Sequence, residues 1–397
     1  MKRLGISVYP DIQPLEEIKQ YIELAAKYNF KRVFSSMWSV EGTASEVINY
    51  FTELIQIAHK NDMQVGLDVN PDCLSHVGAS FNDLKIFNDI GVDILRMDLC
   101  FGVEKDVQLV NNPYEIQIEF NATVMSGEYV NSLIEAGAQI DKILTGHNFY
   151  PQRYTGMKWK KYLKINKELK KYDLEVTTFV TSHNEPTCGV WDAKDGLCTV
   201  EMMRDWTIDE QIRLLFAAGN VDTILIGNAC ASEEELASAC DAIKQYEVNE
   251  SMPIIKIMMG FGATKERFYP QNKIKVLPTE DITESESEIL FDIFPHSDVG
   301  DSSEWIWRSR MARFLRKRIE FREYEKDSFQ IGDVVMVNEN YKHYAGEVQI
   351  VLKPIINDHT RNLIGRISLR ELEIIKLLKD GDVVIFLKEV ENERVSK

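Results

Sequence analysis

Short runs of β-branched and apolar residues alternate with longer stretches in which apolar positions recur every three to four residues. The runs Leu4–Tyr9, Arg32–Met37, Gln64–Val69, Ile94–Cys100, Ile116–Ala122, Lys142–Phe149, Leu174–Thr181 and Thr223–Gly227 predict strands. The stretches between them predict helices over Leu15–Tyr28, Ser45–His59, Phe81–Ile90, Glu128–Ala136, Trp159–Lys171, Ile208–Ala218 and Glu233–Tyr246. In the second helix, Val47, Tyr50, Phe51, Leu54, Ile55 and Ala58 form one apolar stripe. The connection Val103–Pro113 has the weakest pattern. Ser45, Thr207 and Ser232 stand where N-caps are expected, and Glu235 would complete a capping box with Ser232. Gly91, Gly137 and Gly219 stand where helices should end. Two doubly wound sheets are an alternative topology, but no G-x-G-x-x-G follows the first strand. A closed (β/α)₈ TIM barrel, usually about 250 residues long, is the simpler reading.

After Tyr246 the pattern changes. Strands are predicted at Ile254–Met259, Ile289–Phe294, Asp333–Val337, Glu347–Leu352, Leu363–Ile367 and Val383–Leu387, with one helix at Leu369–Leu378. Glycines at 332, 346, 365 and 381 punctuate them, as expected of a small β barrel. The expected domains are 1–248, a catalytic barrel, and 249–397, a β domain.

Composition narrows the classes. The 397 residues exceed the usual size of one core, and 44% hydrophobic with 27% charged residues describes a globular protein. The 63 acidic and 46 basic side chains give a net charge of -17, which would repel nucleic acid and anionic membranes. An anionic substrate would therefore need a local basic pocket. The apolar run at the N-terminus is too short for a signal or a membrane span. Cys73, Cys100, Cys188, Cys198, Cys230 and Cys240 form no C-x-x-C pair, so they read as reduced thiols in a cytoplasmic protein.

Chemistry in such barrels sits at the carboxyl ends of the strands. Those positions hold Tyr9, Ser36, Glu41, Asp68, Asn70, Asp98, Glu119, Asn121, His147, Asn148, His183 and Asn228. Asp68 and Asp98 end adjacent strands, so mutual repulsion would keep a proton on one of them, the arrangement acid catalysis requires. Glu41 is either a third member of this group or a solvated charge. Glu119 lies earlier in its strand and is either catalytic or a buried partner of Arg96. His147 is expected to contact substrate rather than metal, since no H-x-H, H-E-x-x-H or EF-hand pattern exists. No metal and no organic cofactor are expected. The eighth helix opens Ser232-Glu233-Glu234-Glu235, whose charges would repel a phosphate. The candidate anion receptors are instead Arg153 and the basic stretch that includes Arg308, Arg310, Arg313, Arg316, Lys317 and Arg318.

Several motifs, taken in order, resemble the bacterial 6-phospho-N-acetylmuramidase family. They are Leu4-Gly5-Ile6-Ser7-Val8-Tyr9-Pro10, Phe34-Ser35-Ser36 with Glu41, Asp68-Val69-Asn70-Pro71, Leu95-Arg96-Met97-Asp98 and Asn121-Ala122-Thr123. To these are added His147-Asn148-Phe149-Tyr150-Pro151, Gly196-Leu197-Cys198-Thr199-Val200-Glu201, Arg308-Ser309 with Arg313, and Tyr344-Ala345-Gly346-Glu347-Val348-Gln349. The resemblance spans essentially the whole chain. It implies a barrel followed by a cyclophilin-like β domain, and an intracellular glycosidase that splits N-acetylmuramic acid 6-phosphate from N-acetylglucosamine during peptidoglycan recycling. The chain departs from the family pattern at Cys188, Trp191 and Lys194, where a Pro- and Gly-containing loop is usual. It also departs at Cys198, where proline is usual, and at Asn228, where aspartate is common. These departures bear on sugar specificity and leave the carboxylates in place.

The expected catalytic set is Asp68, Asp98 and Glu41. Expected substrate contacts are Tyr9, Ser36, Asn70, Glu119, Asn121, His147, Asn148, Arg153, Glu201, Asn228, Arg308 and Arg313. The expected partner is a phosphorylated amino-sugar disaccharide, with no nucleic acid and no membrane; assembly into a homo-oligomer is left open. Rival readings are a sugar-phosphate isomerase or aldolase barrel, and a noncatalytic sugar-binding or surface interaction protein.

Overall fold

The computed structural model describes residues 2–38, 40–185, 187–190, 193–244, 271–292, 296–315 and 317–389. Eight apolar runs become parallel strands: β1 (Arg3–Val8), β2 (Arg32–Ser36), β3 (Gln64–Val69), β4 (Ile94–Met97), β5 (Gln117–Asn121), β6 (Ile143–Gly146), β7 (Glu175–Val180) and β8 (Thr223–Ile226). Their continuous apolar character reflects burial on both faces, since helices cover the outside of a parallel sheet. β8 pairs with β1 and closes a (β/α)₈ barrel.

The outer layer is α1 (Leu15–Lys27), α2 (Ala44–Lys60), α3 (Pro71–His76), α4 (Lys85–Asp89), α5 (Val103–Val110), α6 (Gly127–Glu135), α7 (Trp159–Leu169), α8 (Ile208–Ala217) and α9 (Glu233–Lys244). The weakly patterned connection after β4 is thus helical. The 81–90 stretch is helical only from Lys85, because a Ser80–Asp83 turn precedes it. Ser45 is not the cap of α2. Thr43 caps that helix, in a capping box with Glu46, since its side chain reaches the Glu46 N–H. Ser232 with Glu235 forms the expected box, and Thr207, the expected cap of α8, forms another with Glu210.

Strand register carries the sequence pattern into the site. Ser36 pairs with Asp68, Asp68 with Arg96, and Arg96 with Glu119, so these four share one face of the sheet. Glycine makes room for the charges. A Cβ at Gly146 would lie 2.5 Å from Arg96 Nη1 and 2.6 Å from Glu119 Oε1, and one at Gly66 would lie 2.9 Å from Arg32 Nη2. A side chain at either position would displace the buried ion pairs.

The first unit ends at Lys244. The expected boundary near residue 248 and the expected strand Ile254–Met259 lie outside the described residues. The second unit is a nearly closed, barrel-shaped sheet built from β9 (Gln271–Pro278), β10 (His296–Ser297), β11 (Ile306–Ser309), β13 (Asp333–Val337), β14 (Val348–Val351), β16 (Arg361–Arg366) and β17 (Val383–Lys388). The short strands β12 (Ser328–Phe329) and β15 (Ile355–Ile356) pair separately. Phe329, Val335, Val351 and Leu363 form its core, with Tyr324 and Ile355 packed against it. Of the strand expected at Ile289–Phe294, residues 293–294 lie outside the described residues, and residues 289–292 belong instead to a wide helical turn over Glu288–Asp292. It continues the capped turn that begins at Thr283, and that cap commits the chain to a helical path. A short apolar run alone does not separate strand from buried helix.

Candidate active site

The carboxyl ends of the barrel strands enclose a cavity of about 300 Å³, lined by residues that include Ser36, Asp68, Arg96, Asp98 and Asn148. Phe34, Phe149 and Phe179 pack edge to face, with ring centroids 5.1–6.2 Å apart, and form an apolar wall. Trp38 stands at the rim, 47% exposed. Aromatic faces beside fixed polar groups suit a sugar, which has both apolar faces and hydroxyl edges.

Arg96 organises this mouth. Its Nη1 donates to Glu119 Oε1 at 3.0 Å and to the Gly146 carbonyl at 3.2 Å. Its Nη2 donates to the His147 carbonyl at 3.2 Å and to Asn148 Oδ1. That last bond fixes the Asn148 amide, whose Nδ2 then donates to Asp98 Oδ1 at 2.8 Å. Asn121 Nδ2 donates to the same oxygen at 3.4 Å. Two amides therefore hold the Asp98 carboxylate in one orientation at the cavity wall.

Asp68 differs. Its Oδ1 is buried without a hydrogen-bond donor, and Arg96 Nε stands 3.7 Å away. Burial pushes its carboxyl up to about 7. Arg96 opposes that rise, while the charges of Asp98 and Glu119 add to it. The side chain still presents a fifth of its surface, so a retained proton is accessible from the cavity.

Glu119 lies beneath the cavity, fully buried. It accepts from Arg32 at 2.7 Å, Arg96 at 3.0 Å and Thr177 at 2.9 Å. Burial pushes its carboxyl up, but the Arg32 and Arg96 guanidiniums outweigh that and hold it at about 2. Its position is that of a counter-ion supporting Arg96.

The other expected contacts are dispersed. Tyr9 is buried and donates to the Gly227 carbonyl. His147 is buried on the α7 side, with Nε2 2.6 Å from Asn166 Oδ1, and burial pushes it down to about 4. Asn70 caps α3 and lines a shallow neighbouring cavity with Glu41. Glu201 clamps the loop after β6, accepting from the Tyr154 and Gly156 N–H groups and from Arg204. Asn228 joins the loops after β7 and β8 through Ser182 and Thr187. Arg153 pairs with Asp205.

In the second unit, Arg308 forks onto the buried Glu347. Arg313 lies 4.0 Å from Glu347, stacks over Tyr344 and lines a cavity with Lys317, Arg318, Glu339, Lys342 and His343. Arg96 stands outside the expected set, although a charge two residues before Asp98 in an apolar strand marks the same face. Trp38 and Phe179 also line the cavity without having been expected there, because aromatic residues at strand ends look like ordinary core. Among the described residues, no cluster of three or more His, Cys, Asp or Glu side chains is placed to hold a metal ion.

A closed (β/α)₈ barrel with two carboxylates in unlike surroundings, facing an aromatic-walled mouth, suits the chemistry of a glycosidase. The chain belongs to the 6-phospho-N-acetylmuramidase family: the N-terminal domain of that family matches residues 4–240 and its C-terminal domain residues 272–387. It is similar to an uncharacterized B. cereus protein at 30% identity, covering 98% of this chain and 100% of that one, with a TM-score of 0.78. It is also similar to a conserved Enterococcus faecalis protein of unknown function at 25% identity, covering 98% of each chain, with a TM-score of 0.68. No curated protein matches it.

Proposed function

We propose that this glycosidase cleaves N-acetylmuramic acid 6-phosphate from N-acetylglucosamine in a small disaccharide, as peptidoglycan recycling requires. Asp68 is the general acid and Asp98 the second carboxylate. The observation that carries this reading is the contrast between the two aspartates. Asp68 sits in a site that favours its protonated form, whereas Asp98 is oriented by two amide donors.

Asp68 gives its proton to the glycosidic oxygen as the bond to the anomeric carbon breaks. Asp98 either attacks that carbon or draws a proton from the water that does; the net change is addition of one water. Phe34, Phe149, Phe179 and Trp38 receive the apolar sugar faces and exclude solvent. The lactyl carboxylate and the phosphate require cations. Arg153, which follows the mouth-lining Tyr150 and Pro151 and pairs with Asp205, is the proposed contact on the barrel.

The test is incubation of the protein with the 6-phosphorylated disaccharide and with its unphosphorylated counterpart, with products resolved by mass spectrometry. Release of N-acetylglucosamine from the phosphorylated compound is expected. Equal rates on both compounds would remove the phosphate from the reading, and no cleavage of either would remove the substrate class.

A further inference from the structure

Two cysteines that the proposed chemistry does not use meet beside the barrel mouth. Cys188 lies in the loop after β7 and Cys230 in the loop after β8. An isolated antiparallel bridge pairs Cys188 with Ala229, whose N–H donates to the Cys188 carbonyl at 2.8 Å. The Thr187 hydroxyl donates to the Ala229 carbonyl at 2.6 Å, and Asn228 Nδ2 donates to the Thr187 hydroxyl at 2.8 Å. The two loops are thus stitched together immediately beside the thiols. Cys230 then takes a left-handed backbone conformation, φ 63°, rare for a side chain of its kind. Its thiol accepts a hydrogen bond from Gln13 Nε2 at 3.2 Å and lies near enough to that of Cys188 for the two to influence each other's ionisation. Both cysteines are half-buried, so a small reagent can reach them.

We propose that Cys188 and Cys230 are a reversible dithiol–disulfide site, closed by a low-molecular-weight disulfide and reopened by a thiol. The surroundings separate attacker from partner. The neighbouring Cys188 thiol holds the Cys230 thiol down at about 7, against the burial and the Glu17 carboxylate that raise it. The Cys230 sulfur, with burial and the Asp11 and Glu17 charges, pushes the Cys188 thiol up. Cys230 is therefore the thiolate that attacks first. Burial pushes Cys100 up to about 12 and Cys198 up to about 11, which leaves those thiols protonated and inert.

The reaction balances without a metal. The Cys230 thiolate attacks one sulfur of the small disulfide, forming a mixed disulfide and expelling one thiolate. Cys188 then loses its proton and attacks Cys230 Sγ, which forms the protein disulfide and expels the second thiolate. Protein loses two protons and two electrons, and the small disulfide becomes two thiols. The new bond makes permanent a joint now held by hydrogen bonds. It pins the loop that carries Val190, which lines the active-site cavity.

The experiment treats the full-length protein with glutathione disulfide and maps peptides under non-reducing conditions. A linked pair of peptides carrying Cys188 and Cys230 is expected, with the free-thiol titre falling by two from six and restored by dithiothreitol. The Cys188→Ser variant should stop at glutathione bound to Cys230, and Cys230→Ser should leave Cys188 free. The proposal is overturned if the unaltered protein keeps glutathione on Cys230 with no linked peptide, if other cysteines pair instead, or if neither residue reacts. None of these readouts depends on the substrate, so failure here leaves the glycosidase reading untouched.

Discussion

Arg96 Nε stands 3.7 Å from Asp68 Oδ1, close enough to attract its charge and too far to hydrogen-bond to it. The guanidinium is held there by Glu119, the Gly146 and His147 carbonyls and Asn148. Asp68 therefore lies within a cation's field but receives no donor from it, and burial prevails over attraction. The same arginine, acting through Asn148, positions Asp98.

The Asp68→Asn variant keeps the shape and removes the proton. It should lower kcat by about 10²–10⁴-fold on the natural disaccharide. On a substrate with a phenolate leaving group, which needs little protonation, the loss should be much smaller, whereas Asp98→Asn should be slow on both. Equal losses for Asp68→Asn on the two substrates would show that Asp68 is not the acid.

A general acid must carry its proton, and the Asp68 carboxyl is raised to about 7. Activity should accordingly fall as pH rises through about 7. Linkage has the same sign: a folded value above the unfolded value of about 3.9 gives stability that is complete below pH 4 and lost as pH rises through 7. Asp68→Asn should remove that decline. Denaturant titrations at pH 5 and 8 measure it, and an unchanged slope in the variant would count against the raised value.

Glu119 is tied to Arg32 and Arg96 with none of its surface exposed. Removing its charge strands two buried guanidiniums, so Glu119→Gln should destabilise the fold by about 3–5 kcal/mol. Urea unfolding of the purified variant reads this directly. A change below about 1 kcal/mol, alongside a large loss in kcat, would instead place Glu119 in the chemistry.

Arg153 follows the mouth-lining Pro151 and pairs with the exposed Asp205. Arg153→Ala should raise KM for the phosphorylated disaccharide by about 10- to 150-fold, the loss of one charge-assisted bond of roughly 1.5–3 kcal/mol. KM for the unphosphorylated compound should barely move. A parallel rise for both would mean that the arginine supports structure rather than the anion.

The strand–helix alternation, the closing glycines and the placement of Asp68 and Asp98 at strand ends were legible because they depend on local periodicity and on short-range punctuation. Period two assigns a residue to a face of its strand. It does not say which residue that face will meet. Barrel closure brings Arg32 to Glu119 across 87 positions of chain, turning a candidate catalytic carboxylate into a buried counter-ion. Tertiary packing likewise turns His147 toward Asn166 on α7, and draws Glu201 to Arg204 and the backbone of the loop after β6. The 289–292 run reads as strand from composition alone, yet the cap at Thr283 and the wide turn that follows carry it as helix. Sequence thus determined that Ser36, Asp68, Asp98 and Asn148 stand at the mouth of the barrel. The electrostatic surroundings that raise the Asp68 carboxyl, and the approach of the loops carrying Cys188 and Cys230, were decided by tertiary structure, since burial and long-range neighbours exist only once the chain has closed on itself.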